Sequence, residues 1–138
     1  MKTKRKQFQE LSSAPFDAEL PTKSTDRRLK IVKLPTEPLS DEDRLHVRFD
    51  RRNGRMVGFA VQYECRIGND WHAVIRIDAS PAEKPHQHVF HPNPRKNRKE
   101  VLVGESKKYG EIFHEAMRHL RTNFKNYKDN YVRAYEQS

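Results

Sequence analysis

At 138 residues, with 34% hydrophobic and 34% charged positions, the chain has the size of one domain but is too polar for every residue to share its core. It lacks any run of about 18 apolar residues, which excludes a helical membrane span. A formal charge of +9, from 28 Lys and Arg against 19 Asp and Glu, favours a polyanionic partner, either nucleic acid or an acidic protein.

Met1 to Lys6 is basic without a following apolar stretch, so no secretory signal is expected. Residues 1–40 contain Pro15, Pro21, Pro35 and Pro38 among scattered Ser and Thr, and read as a disordered or extended head. Within it, Leu29 to Leu34 is a candidate edge strand or docking segment. Residues 41–138 then form a single domain. Most of the positive charge lies here, since residues 45–138 carry 18 basic and 11 acidic side chains.

From Leu45 the pattern turns periodic. Leu45, Val47 and Phe49 alternate with His46, Arg48 and Asp50, the signature of a half-buried strand. Asn53-Gly54 supplies a turn because both residues tolerate positive φ. Val57 to Ile67 alternates again, and Gly68-Asn69-Asp70 turns the chain into Trp71, Ala73, Ile75 and Ile77. Equal parity across the strands then sets Phe49 near Val57, Tyr63 opposite Ile75 and Gln62 opposite Arg76. His46, Arg48, Gly58, Ala60, Gln62, Arg76 and Asp78 should share the other face, as a shallow open platform. Pro81 to Pro85 reads as a connection, His86 to His91 as a fourth strand, Arg95 to Lys99 as an exposed basic loop, and Val101 to Val103 as a further short strand. Ser106 is a candidate N-cap for a long helix, in which Tyr109, Phe113, Ala116, Met117, Leu120, Phe124, Tyr127, Tyr131 and Tyr135 keep one phase. The expected fold is α+β: an antiparallel meander of three to five strands packed on one long C-terminal helix.

Three groups of residues carry candidate chemistry. His86 and His88 point the same way in a strand. Such a pair can trade protons in phosphodiester cleavage, hold zinc, or be structural. Arg76 and Asp78 join them if the fourth strand pairs with the third; the guanidinium fork suits a phosphate, although Arg76 and Asp78 can also simply pair with each other. His114, Arg118, Arg121, Lys125 and Lys128 form a basic row on one helix face, which reads as a phosphate track or as a solvated surface. The lone Cys65 is expected to be a buried small hydrophobe, and its solitude favours the cytoplasm. Absence of a Gly-rich phosphate loop and of a paired acidic motif argues against kinase, NTPase, dehydrogenase and two-metal nuclease chemistry.

The segment Trp71-His-Ala-Val-Ile-Arg76-Ile-Asp78, followed by His86-Gln-His88-Val-Phe90, resembles the TumE-like toxins of bacterial and archaeal toxin–antitoxin modules. The similarity covers roughly residues 56 to 122. It implies a small α+β toxin acting on RNA and neutralised by a helix-turn-helix antitoxin. Combined with the residues themselves, the expectation is an RNA-interacting, toxin-like protein whose enzymatic form is a metal-independent ribonuclease using histidine acid/base chemistry with no cofactor. His86, His88, Arg76 and Asp78 are then the catalytic candidates. Arg48, Lys84, Arg95, Lys96, Arg98, Lys99, Arg118, Arg121 and Lys125 are the candidate nucleic-acid contacts. A non-enzymatic nucleic-acid-binding module or a protein-interaction adaptor is the alternative.

Overall fold

A computed structural model describes residues 29–102 and 108–138. Seven antiparallel strands form one sheet: β1 (Leu29–Lys33), β2 (Glu37–Ser40), β3 (Asp43–Arg52), β4 (Arg55–Ile67), β5 (Asp70–Ser80), β6 (Glu83–Val89) and β7 (Arg98–Val101). Their order is β1-β3-β4-β5-β6-β7, with β2 also pairing β3. Among the described residues one α-helix, α1 (Tyr109–Glu136), packs against β4 and β5. The expected α+β meander on one long helix is therefore present, with more strands than the alternation alone specified. Two of them come from the stretch expected to be a head. Leu29–Lys33 pairs antiparallel along β3 at the sheet edge, and Glu37–Ser40 pairs with the beginning of the same strand. Residues 1–28, Val103 and the candidate cap Ser106 lie outside the described residues.

Burial follows parity. Leu45, Val47, Phe59, Val61, Tyr63, Cys65, Ile75 and Ile77 are buried on the odd-numbered face, against Ala116, Met117 and Leu120 of α1. Phe113 meets Phe59 edge-on with ring centroids 5.6 Å apart, and Phe124 tilts against Tyr63 at 5.5 Å. A polar anchor at one end ties the two layers together. Asp43 accepts from Tyr63 Oη at 2.5 Å, from Ser40 Oγ at 2.5 Å and from Lys128 Nζ at 3.3 Å. Burial pushes the Cys65 thiol up to about 11, so it stays protonated and packs as a hydrophobe. No described helix is long and apolar enough to cross a membrane.

Three bulges in the central strands set which side chains reach which face. Asn53 and Gly54 have φ of 52° and 74°, making a two-residue turn between Arg52 and Arg55. An extra residue at Val57 then shifts the register, so Phe49 faces Phe59 rather than Val57. The second turn is also two residues, Gly68-Asn69, not three. Val74 is the extra residue that restores Tyr63 opposite Ile75 and Gln62 opposite Arg76. Before that bulge the parity is inverted. Trp71 and Ala73 therefore share the polar face with Arg66 and Glu64, while His72 turns to the helix and contacts Tyr131 and Tyr135. The third bulge contains Lys84 and Pro85 opposite Ala79. Proline lacks a ladder donor and fits at such a site. The stretch read as a connection is mostly strand, with Pro81-Ala82 as the turn.

Candidate functional site

The third bulge brings the candidate residues together. It places His86 opposite Asp78 and His88 opposite Arg76 on the face away from α1. His86 Nε2 lies 2.5 Å from Asp78 Oδ1 and 3.1 Å from His88 Nε2, and His88 Nε2 lies 3.8 Å from Asp78 Oδ2. Phe90 continues the same side, stacking on His88 with the rings 13° from parallel and lying 5.6 Å beneath the Arg76 guanidinium. All four expected residues thus converge. The platform is not open, however: Arg76, Asp78, His86 and His88 keep only 5–8% of their surface. Aromatic stacking and cross-strand pairing close over the side chains that alternation placed on a solvated face.

Protonation inside the cluster follows from its hydrogen bonds. The Lys84 carbonyl, 2.8 Å from His86 Nδ1, can only accept, so Nδ1 carries the proton. Burial opposes charging His86, yet the hydrogen bond and charge of Asp78 together with the Lys84 carbonyl raise its pKa. His86 is thereby favoured as an imidazolium donating to both Asp78 and Lys84. Burial instead pushes His88 down to about 4; Asp78 opposes this, and the neighbouring His86, Arg76 and Lys99 reinforce it. His88 Nδ1 is buried and has no hydrogen-bond partner among the described residues. The pair therefore sets an imidazole biased toward its charged form against one held neutral. Asp78, His86 and His88 can each turn one ligand atom to a metal ion, with those atoms all within 4.8 Å of one another.

A chain of hydrogen bonds runs from this cluster across the sheet. Arg76 Nε donates to Gln62 Oε1 at 2.8 Å, Gln62 Nε2 donates to Glu64 Oε2 at 2.7 Å, and Arg44 Nε donates to Glu64 Oε1 at 2.8 Å. His46 Nε2 meets the same Glu64 oxygen at 3.0 Å. Burial alone would raise the Glu64 carboxyl, but hydrogen bonds from His46, Arg44 and Gln62 outweigh it and hold the group down to about 2. Arg44 in turn sits 3.9 Å over the Trp71 ring. Sequence reasoning placed Gln62 beside Arg76 but gave no role to Glu64, Arg44 or Trp71. The bulge at Val74 is what sends Trp71 to this side.

A family model described as Domain of unknown function (DUF7718) matches residues 25–137. The chain belongs to the DUF7718 family. No curated protein and no solved structure matches it. The matched span takes in every described strand and the helix α1, so the buried cluster lies within the DUF7718 domain.

The candidate nucleic-acid contacts of this DUF7718 chain separate into distinct groups. Arg48 is fully buried, with its Nη2 3.6 Å from Asp50 Oδ1, and so is not presented as a surface phosphate clamp. The expected basic loop is a 3-10 turn, Pro94–Lys96, followed by β7, and its charges divide. Arg95 and Lys96 are exposed on the turn. In β7, Lys99 pairs across from His88 and Arg98 pairs across from Val89, so only Lys99 joins the polar face. Lys99 Nζ is 2.8 Å from Glu83 Oε2 at the rim of the cluster, where Lys84 is also exposed. On α1, Arg118 and Lys125 are exposed, while Arg121 forms a two-pronged bond to Glu37 at 2.7 and 2.8 Å. Lys128 reaches Asp43 and Glu42. Two of the five residues of the helix row, Arg121 and Lys128, therefore fasten α1 to the sheet.

Proposed function

We propose that this chain is an RNA-interacting, toxin-like protein that breaks phosphodiester bonds at the His86–His88–Asp78 cluster without a metal. The observation that supports it best is the shared face of Arg76, Asp78, His86 and His88, which joins a guanidinium, a carboxylate and two imidazoles. At 3.1 Å the imidazoles are too close to flank a phosphate as separate acid and base. They act instead as one proton-transfer unit: Asp78 and the Lys84 carbonyl orient His86, His86 abuts His88, and Arg76 holds the phosphate. Lys84 and Lys99 stand at the rim, where an RNA backbone approaches. The helix-turn-helix antitoxin implied by the resemblance is the matching protein partner.

The test is incubation of chelator-treated protein with a defined RNA, comparing wild type with His88→Gln and with Arg76→Gln. Wild type should cleave, and loss of the imidazole should slow cleavage by about 10²–10⁴-fold. Equal RNA integrity in wild-type and His88→Gln samples removes the enzymatic reading. A non-enzymatic binding module is the second reading, favoured by the exposure of Arg95, Lys96, Arg118 and Lys125 away from the buried cluster.

A further inference from the structure

We propose that Asp78, His86 and His88 form a binding site for a divalent first-row transition-metal ion. Three features of the geometry carry this. First, the ligand atoms converge: His86 Nε2 and His88 Nε2 are 3.1 Å apart, and the Asp78 oxygens lie 2.5 and 3.8 Å from them. Ligands about 2.0–2.1 Å from a tetrahedral ion stand roughly 3.3 Å from one another, so the imidazole pair is already close to that spacing, while the His86–Asp78 contact opens by about 0.8 Å and the His88–Asp78 contact closes by about 0.5 Å to seat one.

Second, the Lys84 carbonyl takes the Nδ1 proton of His86 at 2.8 Å. This backbone bond is the usual means of holding a ligating imidazole in the tautomer that turns the Nε2 lone pair to a metal. With Nε2 bare, two imidazole lone pairs and a carboxylate face one another, and positive charge must lie between them. A proton can supply it, as can an ion. Third, the three ligands come from two hydrogen-bonded strands, His86 and His88 as an i,i+2 pair on β6 and Asp78 directly across on β5. That scaffold fixes the ligands before the ion arrives.

Two imidazoles and one carboxylate suit Zn²⁺, Fe²⁺, Co²⁺ or Ni²⁺ rather than Mg²⁺ or Ca²⁺, which prefer oxygen. Three protein ligands leave a coordination position open. Glu83, whose Oε2 is 3.6 Å from His86 Nε2, adds negative charge beside it. The site stands on this geometry alone, and an ion bound here displaces the proposed metal-free RNA reaction rather than serving it. An ion here takes the lone pairs that metal-free proton transfer uses.

Full-length, chelator-stripped protein titrated with Zn²⁺ against a chromophoric chelator provides the test, with Co²⁺ absorption as a second readout and no RNA present. One ion should bind per chain, and His88→Gln or Asp78→Asn should weaken binding by more than about 100-fold, beyond the cost of losing an outer-shell contact. Wild-type and variant proteins binding alike would overturn the assignment. Because a variant can fail through misfolding, imidazole ¹⁵N resonances of the wild type are followed alongside. Zn²⁺ should move Nε2 of His86 and His88. Movement confined to His91, His114 or His119 would overturn the site.

Discussion

Glu64 shows how much of the polar face depends on one side chain. It accepts from Arg44 and Gln62, contacts His46, and through Gln62 fixes the guanidinium of Arg76. Its carboxyl falls from 4.5 in the unfolded chain to about 2 in the fold. A depressed carboxylate contributes stability above its unfolded value, and this contribution disappears as pH drops through the folded one. Stability should therefore decline between pH 4.5 and 2, and Glu64→Gln should flatten that part of the profile in urea titrations. A variant with the wild-type acid slope would remove Glu64 as the cause. At this scale the sequence was readable only in part. Period-two alternation puts Gln62, Arg76 and Asp78 on one face and turns His86 and His88 the same way, because side-chain direction is a backbone property; that the two sets meet depends on the pairing of β6 with β5. It leaves open which partners Glu64 chooses, because those depend on rotamers and on the twist that brings Arg44 over Trp71. Burial of the face was likewise hidden: charged residues in a strand read as solvent-facing whether or not they pair.

Among the elements, the helix and the two central hairpins follow from local chemistry. Asn53-Gly54 and Gly68 supply positive φ at the turns, and the helical phase from Tyr109 to Tyr131 sets the covering layer. Bulges are what alternation conceals. Val74 is apolar and sits inside an apolar run, so inserting it leaves the pattern of β5 intact while inverting the faces of Trp71 and His72. Of the two N-terminal strands, the first falls on the candidate edge strand Leu29 to Leu34, and the second, Glu37–Ser40, was obscured for another reason. A short strand bearing Pro38 carries little periodicity, and pairing with β3 decides it. Packing of α1 supplies the core that a sheet with one polar face cannot make alone. Leu120 is fully buried at the centre of that contact. Leu120→Ala should cost about 2–5 kcal/mol by lost transfer energy and an unfilled cavity. Thermal and urea unfolding check this, and a change well below that range would mean the helix relaxes to close the gap.

Across the whole molecule, the net charge of +9 has to be weighed against where its cations are used. Arg121 and Lys128 are engaged with Glu37, Asp43 and Glu42, and Lys99 with Glu83. Arg48 is buried. Arg95 and Lys96 on the turn, with Arg118 and Lys125 on the helix, are exposed and better placed to meet a polyanion. This division separates two effects that a charge count merges. Arg95→Glu with Lys96→Glu should weaken RNA binding and make it less salt-sensitive, by about one unit of log–log slope per phosphate contact removed, with little change in stability. Arg121→Glu should act mainly on stability, since it sets two carboxylates against each other between α1 and β2. Fluorescence anisotropy of a labelled RNA at several salt concentrations, with melting curves for each variant, distinguishes them. If the turn variant retains both the affinity and the salt slope of wild type, RNA is held elsewhere, and the exposed turn charges serve solubility.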